Sequence, residues 1–260
     1  NDQMVAYVAP SRGGQLYEWD IRSIKRNLLA TMTRRPEVYH EKVRAGANGQ
    51  HEGCASIHDR VVFKQAGLES KVQYDRYLRK SLIDIFYSPE TTLDQVSAGQ
   101  AVYFGDFSTS RYEATIHTNP DRVRVVMTSE GMVLDQKVRV TKAVLLSEGS
   151  SVLEVAYRLE NLPIDRPVLF ATEFNFAGLP ANADDRFFET LEGTNLGHLG
   201  TQLNLESSSG LAVIDSWLGL RVQMLFSRPT NLWTFPVASV SQSEGGFELV
   251  HQSVAVQPHW

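Results

Sequence analysis

At 260 residues, 42% of them hydrophobic, the chain can bury a sizeable core as one large domain or two ordinary ones, which argues against whole-chain disorder. A formal charge of -5, with Lys and Arg scattered along the chain, offers no basic face for phosphate and argues against a nucleic-acid partner. The single cysteine, Cys54, rules out an internal disulfide and leaves any thiolate metal site without its second sulfur. Residues 1–10 carry neither a basic nor an apolar leader segment, and no run reaches the ~18 apolar residues of a membrane span. A soluble, cytoplasmic parent is therefore expected, with no membrane partner.

The first third of the chain mixes short apolar runs with helical signals. Residues 5–8 and 15–21 read as paired strands around the turn Pro10-Ser11-Arg12-Gly13-Gly14. Pro36 suits the first turn of a short helix running to about Arg44, with Gly46 beyond its end and a loop over residues 45–53. The apolar run Ser81-Leu82-Ile83-Asp84-Ile85-Phe86-Tyr87 fits helix or strand, because short runs do not distinguish them.

From Val102 onward the pattern alternates with a period of two, predicting strands over 102–107, 111–117, 122–129, 133–146, 151–160 and 168–177. Turns are expected at Asn119-Pro120-Asp121, Ser129-Glu130-Gly131 and Glu148-Gly149-Ser150, and further strands over 211–216, 220–227, 232–240 and 247–256. So many consecutive strands without intervening helices imply two packed sheets or a barrel. No linker or repeat divides residues 1–260, so a single domain is the economical expectation.

The common catalytic signatures are absent: there is no Gly-rich loop ending in Gly-Lys-Ser/Thr, no Gly-x-Ser-x-Gly elbow and no His-Glu-x-x-His helix. Glycosidase chemistry would need only two opposed carboxyl groups, about 5 to 9.5 Å apart. Ala171-Thr172-Glu173-Phe174-Asn175-Phe176 places Glu173 and Asn175 on one strand face and two Phe residues on the other. That polar row either lines a sugar cleft or faces solvent above an aromatic core.

Asn182-Ala183-Asp184-Asp185-Arg186 gathers oxygen ligands in one loop. Asn182, Asp184 and Asp185 could hold a hard cation or simply stabilise a turn, with Arg186 balancing their charge. His58 and Asp59 are neighbours and cannot pair with each other in an extended segment, and His40, His58, His117, His198 and His251 show no ligand spacing. Trp217 and Trp233, or Tyr74, Tyr77 and Arg76, could stack on sugar rings or belong to the core. No cofactor and no resident metal are expected.

Three segments carry a resemblance: Thr33-Arg34-Arg35-Pro36-Glu37-Val38-Tyr39-His40, Ile57-His58-Asp59-Arg60 and Tyr74-Asp75-Arg76-Tyr77. They resemble the opening of the C-terminal domain in family 57 glycoside hydrolases, the 4-α-glucanotransferases and α-amylases acting on α-1,4-glucans. Glu173-Phe174-Asn175-Phe176 with Asp185-Arg186-Phe187-Phe188 is similar to the middle of that domain. Ser243-Glu244-Gly245-Gly246-Phe247-Glu248, His251-Gln252 and Pro258-His259-Trp260 are similar to its end, so the likeness runs in order along nearly the whole chain.

The resemblance implies an all-β fold, an antiparallel β-sandwich of the galactose mutarotase-like supersandwich kind, with a few short helices near the N-terminus. It also implies that nucleophile and general acid lie in a separate (β/α)7 barrel of the same parent chain, so no residue here would be catalytic. The expected role is then an accessory domain that packs on that barrel through residues 19–40 and contacts α-1,4-glucan or maltooligosaccharide. Glu173, Asn175, His58, Trp217 and Trp233 are the candidate sugar contacts, and a homodimer stays open. Two alternatives remain: a glycan-binding module, or a stand-alone mutarotase-type enzyme with His58 or His117 as acid and Glu173 as base.

Overall fold

The computed structural model describes residues 1–46, 63–178 and 180–260; the Ile57-His58-Asp59-Arg60 segment and Cys54 lie outside them. Strands β1 (Met4–Ala9), β2 (Gln15–Ile21) and β3 (Arg26–Asn27) form an antiparallel three-stranded sheet. Gly13 and Gly14 make the β1–β2 turn with φ of 68° and 55°. A Cβ on Gly13 would lie 2.3 Å from the Ser108 carbonyl oxygen, so the close approach of those backbones requires glycine there.

Helix α1 (His40–Ala45) follows, then β4 (Ile83–Tyr87), helix α2 (Leu93–Ser97) and β5 (Tyr103–Phe104). Strands β6 (Glu113–Asn119), β7 (Arg122–Val133), β8 (Gln136–Ser147) and β9 (Leu153–Glu160) form a four-stranded antiparallel meander in chain order. The remaining strands are β10 (Leu169–Phe176), β11 (Arg186–Glu189), β12 (Asn195–His198), β13 (Leu203–Asp215), β14 (Leu220–Ser243) and β15 (Gly246–His259). With β4 and β5 they build an eight-stranded sheet in the order β12-β11-β13-β14-β15-β10-β4-β5.

The two larger sheets pack face to face as an antiparallel β-sandwich. Phe86, Phe170, Phe176, Val254 and Val256 of the large sheet meet Met127, Val133, Val138, Val140 and Val144 of the meander, and half-buried Val8, Trp19 and Ile21 close one side. Full burial of each such side chain is worth about 1.5–3 kcal/mol relative to exposure. The opposite face of the large sheet is covered too: Ile83, Ile85, Tyr87, Ala171, Trp233, Phe235 and Ala255 lie beneath Tyr77, Val96 and Ala101. A strand buried on both faces has no polar side to alternate with, which is why the run ending at Tyr87 reads ambiguously yet forms β4.

Several expected boundaries move. No turn forms at Ser129-Glu130-Gly131; β7 continues to Val133 and the chain reverses at Leu134, whose φ is 58°. Those small residues have other work: the Ser129 hydroxyl donates to the Arg111 carbonyl at 3.0 Å, and a Cβ on Gly131 would meet the Phe107 ring at 2.9 Å. The helix expected after Pro36 begins only at His40, and the strand expected over 102–107 shrinks to Tyr103–Phe104. The strands expected over 220–227 and 232–240 are one strand of 24 residues, running through Pro229 where its pairing with β13 is irregular. Helix α2, unanticipated, carries a reciprocal cap in which Thr92 and Gln95 satisfy each other's backbone N–H groups. Among the described residues no helix is long and apolar enough to cross a membrane.

Candidate functional site

Two of the opening motifs, those of residues 33–40 and 74–77, meet on the outer face of the large sheet. Asp75 Oδ2 accepts from the Arg34 backbone N–H at 2.7 Å, and Asp75 Oδ1 accepts from Arg34 Nη2 at 2.7 Å and Arg79 Nε at 3.0 Å. Arg79 Nη1 then donates to Glu173 Oε1 at 3.0 Å. Asn175 Nδ2, Tyr77 Oη and Gln257 Nε2 complete the Glu173 carboxylate at 2.7, 3.2 and 3.3 Å. Two arginines and two carboxylates thus alternate in one chain of contacts, Arg34–Asp75–Arg79–Glu173, that is neutral as a whole.

Burial alone would raise the Asp75 carboxyl, but Arg79 and Arg34 outweigh it and hold the group below its ordinary range. For Arg79, burial opposes the charge while Glu173, Tyr77 and Asp75 outweigh it, so the guanidinium keeps its proton more tightly than usual. Tyr77 is pushed well up, first by burial and then by the Glu173 charge.

This placement corrects the sequence expectation for Glu173 and Asn175. They do share one strand face, yet at 1% and 0% exposure they face neither a cleft nor solvent. Tyr77 and Arg79 lie over that face, and Arg79 supplies the counter-charge that makes burial of the carboxylate tolerable. Glu173 also cannot act with His117, which stands on exposed β6 of the other sheet. His58 lies outside the described residues. At the outer end of the ion chain, Arg34 Nη1 donates to Gln73 Oε1 at 2.7 Å beside a cleft of about 100 Å³ lined by Thr33, His40, Ser239 and Gln252.

A second buried ionic cluster sits between the sheets and escaped sequence reasoning. Lys142 Nζ lies 2.8 Å from Asp84 Oδ2 and donates to the carbonyls of Gly13 at 2.9 Å and Leu82 at 2.8 Å, so all three ammonium protons are used. Tyr112 and Tyr157 hydroxyls donate to the two Asp84 oxygens, each at 2.6 Å. Burial pulls the Lys142 ammonium below its ordinary pKa, an effect Asp84 offsets only in part. The available signal was one charge inside each apolar run, Asp84 in β4 and Lys142 in β8.

The candidate tryptophans part company. Trp233, 5% exposed, packs on His259 with ring centroids 3.9 Å apart and donates from Nε1 to Asn204 at 3.0 Å, so it belongs to the core rather than to a sugar surface. Tyr77 is likewise interior, while Tyr74 packs against His40 and Arg76 lies over Tyr103. Trp217 is 69% exposed in the β13–β14 turn. The Arg186 guanidinium lies 5.6 Å from its ring centroid and is pinned by Asp215 at 3.0 Å and Asp185 at 3.3 Å.

The loop of Asn182, Asp184 and Asp185 therefore reaches the same sheet end as Trp217, a proximity no sequence spacing reveals. Its oxygens do not gather as a cation cage: Asp185 turns to Arg186, Asn182 packs over Gly200, and Asp184 is exposed. Among the described residues no group of three His, Cys, Asp or Glu side chains is arranged to hold a metal.

Over residues 1–260 the chain matches the family described as alpha-amylase/4-alpha-glucanotransferase, C-terminal. It is 27% identical over 260 residues to alpha-amylase 1 of Dictyoglomus thermophilum, covering 96% of this chain and 35% of that protein. Against the 4-alpha-glucanotransferase of Thermococcus kodakarensis it is 27% identical over 261 residues, covering 98% and 35%. The crystal structure of 4-alpha-glucanotransferase from Thermococcus litoralis aligns with a TM-score of 0.75 at 23% identity, over 100% of this chain and 36% of that one, a likeness of fold. The chain thus spans about a third of the length of these relatives. Because the family match extends from the first residue to the last, the chain belongs to the family of C-terminal domains of alpha-amylases and 4-alpha-glucanotransferases.

Proposed function

We propose that the chain is the non-catalytic accessory domain of an enzyme acting on α-1,4-glucan, seated on the catalytic barrel of the same parent protein. The observation that carries this reading is the end-to-end family match combined with coverage of only 35% of the relatives' length. The ion chain supports it from within. It spends four buried charges on fastening one ribbon, residues 31–38, on which Val38 is 88% and Met32 55% exposed. An anchored ribbon with apolar side chains turned outward is a reasonable seat for a neighbouring domain. Chemistry then stays in the barrel, in keeping with a Glu173 carboxylate whose lone pairs are engaged by Arg79, Asn175, Tyr77 and Gln257.

Maltoheptaose incubated with the 260-residue chain should keep its length when its products are separated by chromatography. Shorter or longer oligosaccharides would place the chemistry in this chain and overturn the reading. In the parent enzyme, Val38→Asp should separate the thermal unfolding of this domain from that of the barrel, whereas unchanged co-unfolding would remove residues 31–38 from the contact.

A further inference from the structure

One end of the large sheet joins residues that are far apart in sequence. Arg186 opens β11 in register with Asp215 at the end of β13, and Phe187 pairs with His198 at the end of β12. The Asp185 carbonyl accepts from the Ser216 N–H at 2.8 Å, and Asp215 Oδ1 accepts from the Leu218 N–H at 2.9 Å, so the turn bearing Trp217 is held from both sides. Beneath the indole lies Arg186, itself buried, with both of its carboxylate partners in place.

A tryptophan exposed this far gives up the gain it would make by burial. Here a buried, doubly paired arginine stacks on it, which limits the ring's freedom before any ligand arrives. Around it the same sheet end carries exposed Asn182, Asp184 and His198, with Asn182 and His198 both crowding Gly200, where an added Cβ would meet them at 2.6 and 3.2 Å. The Arg186 charge is already balanced, so the platform has no call for an ionic ligand. A flat aromatic face beside neutral and anionic hydrogen-bonding groups suits a sugar ring, whose C–H face packs on the indole while its hydroxyls reach the polar rim.

We infer that Trp217, backed by Arg186, is a binding platform for a glucose unit of a glucan chain. The α-1,4 linkage rests on the accessory-domain reading above; the platform itself rests on this geometry.

The test is titration of the 260-residue chain with maltoheptaose and, separately, cellohexaose, followed by tryptophan fluorescence and calorimetry, in the native sequence, Trp217→Ala and Trp217→Phe. Saturable maltoheptaose binding weakened at least about tenfold in Trp217→Ala and largely retained in Trp217→Phe is the expected result. Equal binding by Trp217→Ala would overturn the platform while leaving the α-glucan reading intact. Binding of cellohexaose alone, lost in Trp217→Ala, would keep the platform and overturn the α-1,4 assignment. No binding of either sugar would overturn the platform. Unchanged thermal unfolding of Trp217→Ala would show that any loss reflects the ring rather than the fold.

Discussion

Two buried ionic clusters flank the same sheet and are built differently. Between the sheets, Asp84 and Lys142 form a closed unit in which every ammonium proton and both carboxylate oxygens find partners inside the core. On the outer face, Arg34, Asp75, Arg79 and Glu173 form an open series that starts at a fully buried strand and ends beside a surface cleft. The first ties β4 to β8 and to the β1–β2 turn, so it joins the layers of the sandwich. The second ties an irregular covering segment to a finished sheet. The same residue chemistry therefore serves two scales of organisation: one fixes the core, the other fixes what is laid over it.

The largest expected effect separates these roles. Lys142→Met leaves the Asp84 charge without its cation in a site closed to water and should cost about 3–5 kcal/mol in denaturant unfolding. Adding Asp84→Asn should recover a large part of that loss, since removing both charges avoids the penalty of a lone one. If the double variant is no more stable than Lys142→Met alone, the pair is not the closed unit described.

Glu173→Gln should cost somewhat less, about 2–4 kcal/mol, because Arg79 keeps Asp75 as a partner. Its signature should be local: hydrogen exchange should quicken for amides of residues 72–80 while those of β7 and β8 keep their protection. Equal loosening on both faces would break the distinction between core and covering.

Acid should act on the outer series in the same direction. The folded Asp75 carboxyl titrates below its unfolded value of about 3.9, so its contribution is complete above that pH and is lost as pH falls through the folded value. Below about pH 4 the native chain should lose stability more steeply than Asp75→Asn, read from acid-unfolding curves. Parallel curves would show that Asp75 is not coupled to folding. Smallest of all, Trp217→Ala should change stability by no more than about 0.5 kcal/mol, in contrast with Trp233→Ala, which empties a core position and should cost about 3–5 kcal/mol.

Wherever one strand face meets the core and the other meets water, the fold was legible in the sequence. Strands β8 and β9 alternate along their lengths and appear close to where the pattern puts them. Legibility fails where both faces are covered, as at β4, and where small polar residues serve packing instead of a turn, as at Ser129 and Gly131. At the site the strand period correctly puts Glu173 and Asn175 on one face. It says nothing of what lies over that face, because burial there depends on residues nearly a hundred positions away.

By itself, then, the sequence determined the all-β class, most of the strands and the family of the domain, since each rests on local alternation or on short contiguous motifs. Only the tertiary structure decided that Glu173 is a buried anchor, that Trp233 is core while Trp217 is surface, and that the Asp185 loop stands beside Trp217. Alternation records which side chains share a face. Whether that face is open, covered or backed by a charge depends on contacts between distant segments, and these follow from how the sheets close over one another.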